Sequence, residues 1–114
     1  MTRRVLLVDP DPVSRKLRAR LLNDSGYAVF PARDAEDAIS RIKPGAYQAV
    51  LIAGDEEQAL EFCEQVRRVH PEQVVIVIAK PDAYIPQEPC PDTVLRGGEP
   101  AQVLQTVNAA LREF

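Results

Sequence analysis

The chain has 114 residues and a mass of 12.6 kDa, with 46% hydrophobic and 27% charged residues and a formal net charge of -3. That is the material of one domain with one core, so residues 1–114 read as a single unit. No apolar run reaches membrane-span length, and too few apolar residues follow the basic start Met1-Thr2-Arg3-Arg4 for a secretory signal. A pI near 5.1 gives no general pull toward nucleic acid. A cytoplasmic protein with neither membrane nor nucleic acid as partner is expected.

Charge is unevenly placed. Arg3, Arg4, Arg15, Lys16, Arg18 and Arg20 gather early, and Asp55, Glu56, Glu57, Glu61 and Glu64 gather in the middle, which reads as two solvated helix faces. Cys63 and Cys90 match no metal or redox spacing and are expected to be free thiols, Cys63 in the core.

The stretch Val5 to Pro12, Val-Leu-Leu-Val-Asp-Pro-Asp-Pro, organises the rest. A buried strand runs straight into two carboxylates; Asp11 suits a helix N-cap and Pro12 the first helical position. The first helix then spans about Pro12 to Asn23, with Val13, Leu17 and Leu21 inward, the arginines outward, and a close at Gly26. Ala28 to Pro31 reads as an edge strand, because Pro31 has no N–H to give a ladder. Asp34 caps a second helix carrying Ala35, Ala38, Ile39 and Ile42, ending before Pro44-Gly45.

Ala46 to Ala53, Ala-Tyr-Gln-Ala-Val-Leu-Ile-Ala, reads as a third strand covered on both faces, because its apolar residues run on rather than alternate. A third helix follows from about Glu57 to Val69 and ends at His70-Pro71. Val74 to Ala79 is the clearest strand by β-branched content. Pro81, Pro86, Pro89 and Pro91 then leave room for at most a helical turn, so the fourth helix is shortened or missing. Thr93 to Leu95 is a short fifth strand, and a last helix from about Pro100 buries Val103, Leu104, Val107 and Leu111.

Strands alternating with helices predict an α/β, three-layer, flavodoxin-like (βα)5 fold with a parallel five-stranded sheet in the order 2-1-3-4-5. Chemistry in such folds sits beyond the carboxyl ends of the central strands, here at Asp9, Pro10, Asp11, Ala53, Gly54 and Asp55, with Ala79 and Arg96 from the neighbouring strand ends. No glycine-rich phosphate loop follows the first strand, which argues against a nucleotide or flavin enzyme on this architecture.

From Arg4 to Leu111 the chain resembles the receiver domains of two-component response regulators. Val-Leu-Leu-Val-Asp-Pro-Asp-Pro-Val-Ser-Arg, Gly26-Tyr27-Ala28-Val29, Ala32 to Ile39 and Tyr47 to Ala53 are similar to the family's first strand and acidic turn, second strand, second helix and acceptor-bearing strand. The resemblance implies an aspartate that takes a phosphoryl group from a histidine kinase, Mg²⁺ held by acidic residues, and a lysine and a hydroxyl on the phosphoryl oxygens.

At these positions the chain departs from the pattern. Ala53 stands where the phosphoacceptor should be, Pro10 where the second acid of the pair should be, Ala79 where the hydroxyl residue should be, Thr93 where an aromatic residue is frequent, and Arg96 where lysine is expected. Asp9 matches the first acid, and Asp11 is better explained as the helix cap. Arg96 is expected to pair with Asp9 and fill the space that a phosphoryl group and metal need. No cofactor and no Mg²⁺ are expected, the alternative being a divalent site from Asp9, Asp11 and Asp55.

The reading is a degenerate receiver: no enzyme, but a phosphorylation-independent interaction module in bacterial two-component signalling. Other signalling proteins, among them a histidine kinase or an output domain, are the expected partners, and a homodimer through the last helix is an option. The resemblance places the interaction surface on the fifth strand and last helix, at Thr93, Leu95, Gln102, Gln105 and Thr106. The alternative is a working phosphorelay receiver phosphorylated at Asp55 or Asp9.

Overall fold

The computed structural model describes residues 3–82, 92–97 and 99–111. In chain order the elements are β1 (Arg4–Val8), α1 (Pro12–Asp24), β2 (Ala28–Ala32), α2 (Ala35–Ile39), β3 (Ala49–Ala53), α3 (Glu56–Val69), β4 (Val75–Ala79), β5 (Thr93–Arg96) and α4 (Pro100–Leu111). The strands form one parallel sheet in the order β2-β1-β3-β4-β5, with Leu7 level with Leu51 and Ala79 level with Arg96. The flavodoxin-like order expected from the alternating pattern is therefore the observed one.

Each sheet face has its own core. Val5, Leu7, Leu51 and Ile76 pack under Leu22 of α1 and Val103 and Val107 of α4. Leu6, Val50, Ile52 and Val77 pack under Ala38 of α2 and Ala59, Phe62 and Val66 of α3. Helices on both faces are why every residue of β3 and β4 is buried, and why their sequences run apolar without alternation. β2 pairs with β1 alone and carries Pro31 level with Leu7, the edge position its missing N–H allows.

Three expectations need correction. In α1, Val13 and Leu17 point to solvent, and the inward stripe is Arg15, Arg18, Ala19 and Leu22. Arg18 donates to the buried Asp9 carboxylate and Arg15 to the Asp9 carbonyl, which holds both arginines on the sheet side and leaves the apolar pair outward. α2 stops at Ile39, short of Ile42: the Ser40 hydroxyl donates to the Asp37 carbonyl, and Arg41 N–H closes a tight turn onto Ala38 O. Cys63 is fully buried but disulfide-bonded, since distance along the chain says nothing of proximity in space; Cys90 lies outside the described residues.

β3 begins at Ala49, three residues later than its apolar run. The expectation of a missing fourth helix concerns mainly residues 83–91, outside the described residues. Among the described residues no helix is long and apolar enough to cross a membrane.

Candidate functional site

The carboxyl ends of β1 and β3 meet at two turns, and Asp9 is held at the first from every side. Its N–H donates to Ala32 O (3.0 Å), and its carbonyl accepts from Arg15 Nη1 (2.8 Å). Its carboxylate accepts from the Asp11 N–H (3.0 Å) on Oδ1 and from Arg18 Nη1 (2.7 Å) on Oδ2. With 2% exposure, Asp9 is a buried anion neutralised by a cation two helical turns along α1.

The expected Arg96–Asp9 pair does not form. Arg96 ends β5, level with Ala79 and exposed, with β3 and β4 lying between its strand and Asp9. Arg18 is the nearer cation and takes the carboxylate. The signal that could have found it is helical: Arg15, Arg18 and Leu22 share one face of α1, and Leu22 is buried.

At the second turn Gly54 adopts a φ of 118°, a conformation open to glycine. A Cβ there would stand 2.9 Å from Pro10 Cγ, so the proline ring rests against the bare α-carbon of the turn. Pro10 thus occupies the gap between the two loops with hydrocarbon. Ala53 and Ala79 are buried on opposite sides of the sheet, Ala53 in the cluster under α1 and α4, Ala79 in that under α2 and α3. Two methyl groups facing different cores offer phosphorus neither a nucleophile nor a hydroxyl.

The remaining carboxylates are engaged in capping. Asp11 Oδ1 accepts from Val13 N–H (3.3 Å) and its Oδ2 from the Ser14 hydroxyl (2.7 Å). The Ser14 bond, with the Val13 amide, holds the Asp11 carboxyl below its ordinary value. Asp55 accepts from Gln58 N–H (3.3 Å) and caps α3; Asp34 accepts from Asp37 N–H (2.8 Å) and caps α2. Among the described residues no group of three or more His, Cys, Asp or Glu is placed to share a metal ion, so Asp9, Asp11 and Asp55 are not gathered.

On β5 and α4, Gln102 and Gln105 are exposed, while Thr93, Leu95 and Thr106 are half-buried. Thr93, Gln105 and Thr106 line one shallow groove beside Asp92. Leu95 instead packs with the α4 side of the core, as does half-buried Leu104; Leu111 is buried.

The same architecture recurs among known proteins. The structure superposes on a CheY-like response regulator receiver domain protein from Methanospirillum hungatei with a TM-score of 0.82 and 21% identity, covering 99% of this chain and 96% of that one. The chain has the receiver-domain fold. A receiver domain protein from Clostridium thermocellum gives a TM-score of 0.86 at 14% identity over 97% of this chain and 95% of that one. NtrX from Brucella abortus, solved in complex with ADP, gives 0.81 at 21% identity, with 99% of this chain covering 27% of that protein. In sequence, the nitrogen assimilation regulatory protein NtrX of Azorhizobium caulinodans is 32% identical over 83 residues. That match covers 69% of this chain but 18% of the relative's length, so the receiver fold here corresponds to a small part of that regulator. No family model matches the chain.

Proposed function

We propose that this chain is a degenerate response-regulator receiver domain that binds other signalling proteins in two-component pathways of the bacterial cytoplasm and is not switched by phosphorylation. The observation that carries the reading is Ala53: the strand end that bears the acceptor in receivers ends here in a buried methyl group. Arg18 on Asp9 and Pro10 against Gly54 support it, since both occupy what a phosphoryl group and its cation would use. Receiver domains are signalling modules rather than enzymes, and no step of turnover is assigned to this one.

Without a phosphoryl contact to order a switch segment, the fold presents a constant surface. The groove of Thr93, Gln105 and Thr106, with Leu95 and Gln102 on the same two elements, is the face assigned to a histidine kinase or output domain. No Mg²⁺ or other cofactor takes part.

Amide NMR spectra recorded with Mg²⁺ and beryllofluoride, a phosphoryl mimic, test this. Unchanged resonances at Asp9, Asp11, Ala53 and Asp55 are expected. Saturable shifts at those amides would favour the phosphorelay alternative with Asp55 or Asp9 as acceptor.

A further inference from the structure

α1 and α3 lie on opposite sheet faces and carry opposite charge. The outward face of α1 presents Val13 and Leu17, 66% and 62% exposed and one turn apart, flanked by exposed Lys16 and Arg20. Arg20 meets Asp24 at 3.9 Å with both side chains in solvent, a weak link that leaves the guanidinium available. With Leu22 and half-buried Ala19 packing the other side of the helix into the core, an apolar pair of this exposure has no role in the chain's own core.

Across the sheet, an open groove of about 370 Å³ runs between the start of α2 and the first turns of α3. Ile52, Ala59 and Phe62 form its floor, and Asp34, Glu36 and Glu61 stand on its rim opposed by Arg33. The early end of α2, at Ile39, leaves only a short helix beside α3. The groove has an apolar floor and an acidic rim; the α1 face has an apolar centre and a basic border.

We propose that copies of this chain stack head to tail, the α1 face of one seated in the α2–α3 groove of the next. Val13 and Leu17 cover the apolar floor, and Lys16 and Arg20 meet the rim carboxylates. Because the two patches differ, the contact is heterologous: each added copy leaves one α1 face and one groove open, and assembly continues with concentration. The stack leaves the β5–α4 groove open, and its own groove reaches Pro10, Ala53 and Asp55 at the two turns; self-association is read as mass without any phosphodonor, so its outcome is distinguishable from that of the phosphorylation reading.

Sedimentation equilibrium of the whole chain tests it. The weight-average mass rises with concentration past twice 12.6 kDa, and the association weakens roughly tenfold between about 0.05 M and 0.5 M salt. L17E with K16E removes the α1 face, and E61K with E36K removes the groove; all four residues are exposed, and circular dichroism confirms the fold. Each variant alone is monomeric, yet an equimolar mixture forms a 1:1 dimer and stops there, since one intact face and one intact groove remain. A monomer at every concentration, variants that still self-associate, or a mixture that stays monomeric would each overturn the stack.

Discussion

Arg18 donates to the Asp9 carboxylate at 2.7 Å, across the turn that joins β1 to α1, and the carboxylate so held is 2% exposed. The ion pair ties the first helix to the strand end where receiver chemistry is sited. Removing one partner strands a charge in the interior, so Arg18→Ala is expected to lower stability by about 3 kcal/mol, read as a lower urea midpoint at unchanged slope. Arg18→Lys recovers part of the loss, since the charge remains and the planar fork does not. A loss under about 0.5 kcal/mol for Arg18→Ala, the size of an ordinary surface substitution, would show that the pair does not hold the turn.

Helix α1 also shows where the sequence misleads. The spacing of Val13, Leu17 and Leu21 fits an inward stripe, and the arginines fit an outward one; the structure turns Val13 and Leu17 out and Arg15 and Arg18 in, where Arg18 neutralises Asp9, while Arg20 stays outward and Leu21 is half-buried. Periodicity weighs apolar side chains and has no term for a buried anion ahead of the helix. Leu17→Ala should change stability by less than about 0.5 kcal/mol, while Leu22→Ala should cost about 2–5 kcal/mol, both by chemical denaturation. Equal costs would restore the inward assignment.

The Pro10–Gly54 contact separates into two effects. Gly54→Ala meets Pro10 Cγ at 2.9 Å and forces a side chain to a φ of 118°, so a loss of at least about 1–2 kcal/mol is expected. In Pro10→Ala/Gly54→Ala the steric part is relieved and the backbone part persists, giving a favourable coupling in a double-mutant cycle. Strict additivity would mean that the ring does not press on the turn.

Asp11 gives the pH signature. Its carboxyl is held below the ordinary value chiefly by the Ser14 hydroxyl, with the Val13 amide. A depressed folded value means that its capping contribution is fully present above the unfolded value, near about 3.9, and is lost as pH falls through the lower folded one. Carboxyl-carbon NMR titration should place the Asp11 midpoint below that ordinary value, and Ser14→Ala should move it upward. An unmoved midpoint would remove the hydroxyl as the cause.

Elsewhere the sequence was legible for physical reasons. The runs Ala49–Ala53 and Val75–Ala79 are apolar throughout because helices cover both faces, and Pro31 marks the edge strand because it cannot donate. Asp11 and Asp34 cap the helices that the sequence assigned to them, because a cap is a local event set by one side chain and the next amides; Asp55, read as a turn residue, caps α3 in the same way. Long-range choices stayed hidden: which arginine meets Asp9, that Pro10 lies against Gly54, and that α2 ends at Ile39, where Ser40 and Arg41 bond back onto it. Each depends on distances that chain order does not encode.

Intact mass after incubation with a small phosphodonor and Mg²⁺, beside a receiver with a complete site, tests the central claim most directly. The account predicts an unmodified chain at 12.6 kDa while the control gains a phosphoryl group. A gain of one phosphoryl group on this chain, mapped to Asp55 or Asp9, would contradict it and make the domain a working phosphorelay receiver.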